Sequence, residues 1–191
     1  MVTPAAKLHW NYFLALERDM ETISRYVELS SHNFSSYSIE LAHLLFAAAS
    51  EVDIVAKLLC AHFAPSQPRN NIDDYRAILT AEIPHLCTTK VYIPRYGLEF
   101  TPLSSWSGTT NPIWWRSYNK VKHERDAHFR KANLENSLNA LGALLILIYQ
   151  FYVVIVPQDV DFSPKRVTTK MKPASTLVRL ESNFYFATVV V

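Results

Sequence analysis

Arg116, Asn119, Lys120 and His123 are the residues of this 191-residue chain whose types and spacing suit chemistry on a phosphate. They lie in the stretch PIWWRSYNKVKHERDAHFRK, residues 112–131. Pro112 fits the first turn of a helix, where its fixed φ is helical and its missing N–H would be unpaired anyway. On a helical wheel Trp114, Tyr118 and Val121 share one side, and Arg116 and His123 share the opposite side two turns apart. Asn119 and Lys120 sit beside that second pair, and Lys122 and Arg125 extend the charge further along. One face is therefore aromatic and expected to be buried. The other gathers guanidinium, carboxamide, ammonium and imidazole, groups that hold a phosphate and move a proton.

The charge distribution singles out the same stretch. The chain has a formal net charge of +2, but residues 1–115 carry −3, 116–131 carry +4, 132–164 carry −3 and 165–191 carry +4. A basic island in an acidic body favours an anionic ligand there, although charge runs also form ordinary solvated helix faces. Other chemistries find less support. With three glycines there is neither a P-loop nor a dinucleotide-binding G-x-G-x-x-G pattern. Cys60 and Cys87 are the only cysteines, too few for a disulfide framework or a cysteine-based zinc site. His123 and His128 are five apart, about 140° around a helix, which disfavours a shared metal, and no metal or cofactor is expected. The N-terminal MVTPAAKLHW lacks the basic-then-apolar pattern of a signal peptide, so a cytoplasmic setting is the default expectation.

Hydrophobic periodicity then supplies the elements that must position the motif. Residues 5–29 read as a helix with a stripe of Leu8, Tyr12, Leu16, Met20, Ile23 and Val27. A polar break, Ser30–Ser36, separates it from a longer helix over 38–62, striped by Leu41, Leu44, Leu45, Val52, Val55 and Leu59. Pro65 and Pro68 end that helix. Asp73 or Asp74 is a candidate cap for a short helix to Ile83. Val91-Tyr92-Ile93 and Leu98-Glu99-Phe100 read as a small hairpin, a β insertion at about 88–103 inside a loop spanning 84–112. That loop is expected beside the motif helix, either as a functional lid or as a connector.

After the motif, Asn133 or Asn136 opens a last long helix ending near Pro157. Its apolar run, Ala140–Val156, is shorter than the roughly 20 residues of a membrane span and reads as the central helix of a bundle. A basic linker containing Lys165, Arg166, Lys170 and Lys172 leads to STLVRLESNFYFATVVV, a β-like tail with Ser182 and Asn183 at a turn. The expected fold class is mainly α. Residues 1–157 form an antiparallel helical bundle with the insertion, and residues 158–191 form a linker and tail packing on the body or on a second subunit.

The order of elements, with Arg116-Ser-Tyr-Asn-Lys-Val-Lys-His123 ahead of the last long helix, resembles the HEPN superfamily over residues 38–156. That signature is an Arg, four to six residues, then His, usually with a polar residue after the Arg. Here six residues intervene, and Ser117 stands where Asn, Asp or His is most typical. A second match, Arg25…His32, straddles the break after the first helix. The resemblance implies a metal-independent ribonuclease or RNA-binding protein of a bacterial defence or toxin system, commonly a homodimer with a composite cleft. His123 would take or give a proton and Arg116 would grip the scissile phosphate. Asn119, Lys120, Lys122 and Arg125 would bind the RNA backbone. The competing expectation is an inert adaptor, antitoxin or oligomerisation module that meets a protein partner through the same basic face.

Overall fold

A computed structural model of the chain describes residues 7–155 and 164–185. It is mainly α-helical with a small antiparallel sheet, as the periodicity predicts. In chain order the helices are α1 (Leu8–Ile23), α2 (Ile39–Phe63), α3 (Ile72–Glu82), α4 (Ile113–His123), the one-turn α5 (Arg125–His128), α6 (Leu134–Ile155) and α7 (Pro164–Lys170). The strands are β1 (Val91–Ile93), β2 (Leu98–Phe100) and β3 (Arg179–Leu180).

The centre of the molecule is the α2–α6 pair. Helix α6 is buried on every side from Ala140 to Ile148, because α2, α4, the sheet and the C-terminal segment surround it. By length and composition α6 is apolar enough to cross a membrane, and here those same side chains form the core. Its start is set by Asn133, whose Oδ1 accepts the backbone N–H of Asn136 at 3.0 Å. Ser38 caps α2 in the same way through Leu41 N–H at 3.1 Å.

Three sequence expectations are corrected at the helices. Helix α1 begins at Leu8 and ends at Ile23, and its buried arc runs through Trp10, Phe13, Leu16, Met20 and Ile23. Leu8 and Tyr12 are exposed; the stripe turned toward the two large aromatics, which bury more area than Leu8 and Tyr12 would. Asn71, rather than Asp73 or Asp74, caps α3, accepting from Asp73 N–H at 2.9 Å and Asp74 N–H at 3.1 Å. The motif stretch is not one continuous helix. Glu124 leaves the helical region at φ −139°, ψ 56°, and α5 starts afresh.

The insertion is the expected hairpin. β1 pairs antiparallel with β2 (Val91↔Phe100), and Gly97, at φ 63°, takes the left-handed turn position that disfavours a side chain. Gly142 of α6 lets this hairpin lie on the helix: a Cβ there would stand 2.6 Å from Cε2 of Phe100. The other edge of β1 pairs with β3 (Val91↔Leu180), giving the order β2-β1-β3.

The C-terminal segment therefore docks on the body of the same chain. Buried Glu17 of α1 accepts the backbone N–H groups of Thr176 (3.1 Å), Leu177 (3.0 Å) and Val178 (2.9 Å), and the Ser175 hydroxyl. Trp10 Nε1 donates to the Pro173 carbonyl at 2.9 Å. The linker expectation is corrected too, since residues 164–170 are helical, and Ser182–Phe184 form a 3₁₀ turn in place of a hairpin turn. The expectations for residues 1–6, 156–163 and 186–191 lie outside the described residues.

Candidate nucleic-acid interface on helix 4

Pro112 and the buried aromatics fix α4 in place. Pro112 is extended, and its carbonyl accepts the N–H of Arg116 at 3.1 Å, closing the first turn. Trp114 is buried and donates its indole N–H to the Pro102 carbonyl at 2.8 Å, tying the helix to the insertion loop. Trp115 meets Trp114 edge-on and lies 5.5 Å from the ring of Tyr118. Ser117 and Val121 complete the buried side. Of the two expectations for the insertion loop, a lid or a connector, the packing fits the connector: it braces α4, with Trp106 buried in it.

The opposite side is open. Arg116, Lys120 and His123 are exposed, and none of their side chains makes a hydrogen bond or ion pair within the described residues. Arg116 and His123 lie seven residues apart, about 10.5 Å along the axis at 1.5 Å per residue. Their long side chains can converge on one phosphodiester placed between them. Asn119 is half-buried and donates one amide N–H to the Trp115 carbonyl at 3.2 Å, one turn back, which leaves its second N–H and its carbonyl oxygen for a ligand. The alternative match does not assemble in this way: Arg25 falls in the turn after α1 and His32 in a separate 3₁₀ turn.

Lys122 and Arg125 stand off to one side of this face, on a strip of aromatic rings. Lys122 Nζ lies 5.5 Å from the centroid of the Tyr118 ring, and Tyr118 meets Phe46 of α2 edge-on at 5.8 Å. The break at Glu124 carries Arg125 over Phe46 at 5.4 Å. Beyond it Phe129 meets Tyr37 edge-on at 5.6 Å, and Arg130 lies 6.0 Å from Tyr37. Cations and rings alternate along this surface, which gives cation–π attraction now and stacking platforms for planar ligands. A cleft of about 510 Å³ opens alongside, lined by Ile39, Ala42, His43, Arg125, Asp126 and Phe129.

Sequence reasoning did not find Phe46, Tyr37, Arg130 or His43. Phe46 lay off the apolar stripe of α2, a weak signal that it serves another surface, but nothing local to it pointed at Arg125. His128 pairs with Glu124 at 3.4 Å rather than with His123. Among the described residues no group of three or more His, Cys, Asp or Glu side chains is placed to hold a metal ion. No protein-family model, no curated protein and no solved structure matches this chain.

Proposed function

We propose that the chain is a HEPN-like RNA-binding protein that cleaves RNA by acid–base chemistry on α4, acting in a bacterial defence or toxin setting in the cytoplasm. The observation that carries this reading is the open face of α4, where Arg116, Lys120 and His123 are exposed and unpaired within the described residues above a buried aromatic side. Arg116 grips the scissile phosphate through its planar fork and offsets the charge that develops in the transition state. Imidazole is the side chain suited to both taking and giving a proton near neutral pH. His123 therefore removes the 2′-OH proton or protonates the leaving 5′-oxygen. Attack by the 2′-oxygen closes a cyclic phosphate and releases a 5′-hydroxyl end. Lys120 and the free amide N–H of Asn119 orient the phosphate, and the Asn119 carbonyl oxygen can accept from the ribose 2′-hydroxyl. Lys122 and Arg125 track the backbone, while Tyr118 and Phe46 offer unpaired bases a surface to stack on.

A second reading rests on Ile113, which is 66% exposed on the same side of α4 as Arg116 and Lys120. An exposed Ile among cations suits a protein partner, so an inert adaptor or antitoxin is the alternative. Purified protein incubated with tRNA, rRNA or mRNA in EDTA, beside Arg116→Ala and His123→Ala, separates the two. Cleavage by the wild type that is lost in both folded variants supports the nuclease. Absence of cleavage by the wild type moves the assignment to the adaptor.

A further inference from the structure

Asp126 is out of place in the basic stretch it belongs to. Residues 116–131 carry six basic side chains and two acids, Glu124 and Asp126. Glu124 meets His128 at 3.4 Å. Asp126 is exposed, and its carboxylate has no hydrogen bond or ion pair within the described residues. A carboxylate here works against phosphate binding, and it serves a nucleic acid only by accepting hydrogen bonds from a base edge. Asp126 also lines the cleft of about 510 Å³ between α2 and α5. Ile39 and Ala42 of α2 and the ring of Phe129 give that cleft apolar walls, and Arg125 stands in its lining. Arg130 lies beside it, 6.0 Å from the Tyr37 ring that Phe129 meets edge-on. The cleft is the size of a small-ligand site, apolar within and bordered by cations, which suits a base whose phosphates lie outside it.

The chemistry of a carboxylate selects the base. When ionised it only accepts hydrogen bonds, and it offers two oxygens side by side. Guanine alone among the four RNA bases presents two neighbouring donors, N1–H and the N2 amino group, on its pairing edge. Adenine and cytosine set a ring-nitrogen lone pair beside a single amino donor, and uracil flanks its one N–H with two carbonyl oxygens. Those lone pairs repel a carboxylate. We propose that the α2–α5 cleft is a guanine-reading pocket, in which Asp126 accepts from N1–H and the N2 amino group of an unpaired guanine in the bound RNA. Phe129, Ile39 and Ala42 pack against the base, and Arg125 holds the adjoining phosphate. Asp126 follows His123 by three residues, at most about 11 Å of chain, so the guanine neighbours the phosphate held by Arg116 and His123. The proposal rests on the RNA-binding reading of α4 and not on cleavage.

Fluorescence anisotropy titrations of the full-length protein test it, using labelled oligouridine with one central guanosine, adenosine or inosine. Inosine keeps N1–H and O6 but lacks the N2 amino group. The probes carry 2′-fluoro riboses, which cannot be cut through a 2′-oxygen, so the readout is independent of catalysis. The wild type is expected to bind the guanosine probe about tenfold tighter than the adenosine probe, the scale of one bidentate base contact. Inosine, with one of the two donors, should fall between them. Asp126→Asn, a nearly isosteric change at an exposed position, should bring the guanosine and adenosine probes to similar affinity. If Asp126 acted only as one charge among many, the change would shift every probe by the same factor and leave their ratio alone. Equal wild-type affinity for guanosine and adenosine overturns the proposal, and so does a guanosine preference that survives Asp126→Asn. If no probe binds, the RNA reading of α4 falls and the pocket falls with it. Guanosine selectivity lost in Asp126→Asn, in a protein that cuts no RNA, removes the nuclease and upholds the pocket.

Discussion

Glu17 and the Arg116–His123 face are both polar constellations on helices, and they are built in opposite ways. The Glu17 carboxylate is buried, and its oxygens are occupied by backbone N–H groups and hydroxyls of residues 175–178. Arg116, Lys120 and His123 are exposed, and the described protein offers them no partner. A buried charge is tolerated only when the fold satisfies it, which makes Glu17 an anchor for the chain. An exposed charge contributes little to stability, so a cluster of unpaired cations costs the fold almost nothing and remains available to a ligand. The same residue classes thus hold the structure in one place and wait for something outside it in the other.

The comparison can be broken from either side. The largest effect is expected for His123→Ala, which should lower RNA cleavage by about 10²–10⁴-fold, the usual contribution of a positioned acid–base group. Its melting temperature should match the wild type, measured in the same preparation. A His123 variant that unfolds would show that the open face is structural after all. Glu17→Ala should behave in the reverse sense. Chemical denaturation should show a loss of about 3 kcal/mol, the scale for leaving buried backbone donors unpaired. Limited proteolysis should release the segment after residue 170 before the body is cut.

A smaller effect, about 1–3 kcal/mol by the usual cost of overpacking, is expected for Gly142→Val. Its side chain would press on Phe100 and the methyl groups of Val91. Denaturation midpoints measure that cost, and pairing it with Phe100→Ala should recover part of it. Lys122→Ala with Arg125→Ala should weaken RNA binding and reduce its dependence on salt, leaving the fold intact. A titration at two ionic strengths checks this, and an unchanged salt slope would remove the strip from the interface.

The smallest effect concerns Cys60. Burial pushes its thiol up to about 11, so near pH 8 it is almost wholly protonated and poorly nucleophilic. Its alkylation in the folded protein should be slow and accelerate only as pH approaches 11 or the fold opens.

Sequence pattern alone determined the long helices, because 3.6-residue periodicity over twenty or more residues has few other outlets. Leu41 to Leu59 in α2 was legible for that reason, whereas α6 was legible from its apolar run, Ala140–Val156, interrupted only by Gln150. The hairpin was legible from two β-like triplets around Pro94 and Gly97, and the two-sided character of α4 from the alternation of Trp114, Tyr118 and Val121 with Arg116 and His123. Tertiary packing decided the rest. Whether Tyr12 or Trp10 and Phe13 faced inward depended on the shape of the core that α1 met. The burial of Glu17 required a loop about 160 residues away to supply its donors. The break at Glu124 follows no local breaker residue; its consequence is the placing of Arg125 on Phe46. Local pattern fixes which face of an element is apolar, whereas the partners of a polar group come from chain segments that meet only after folding.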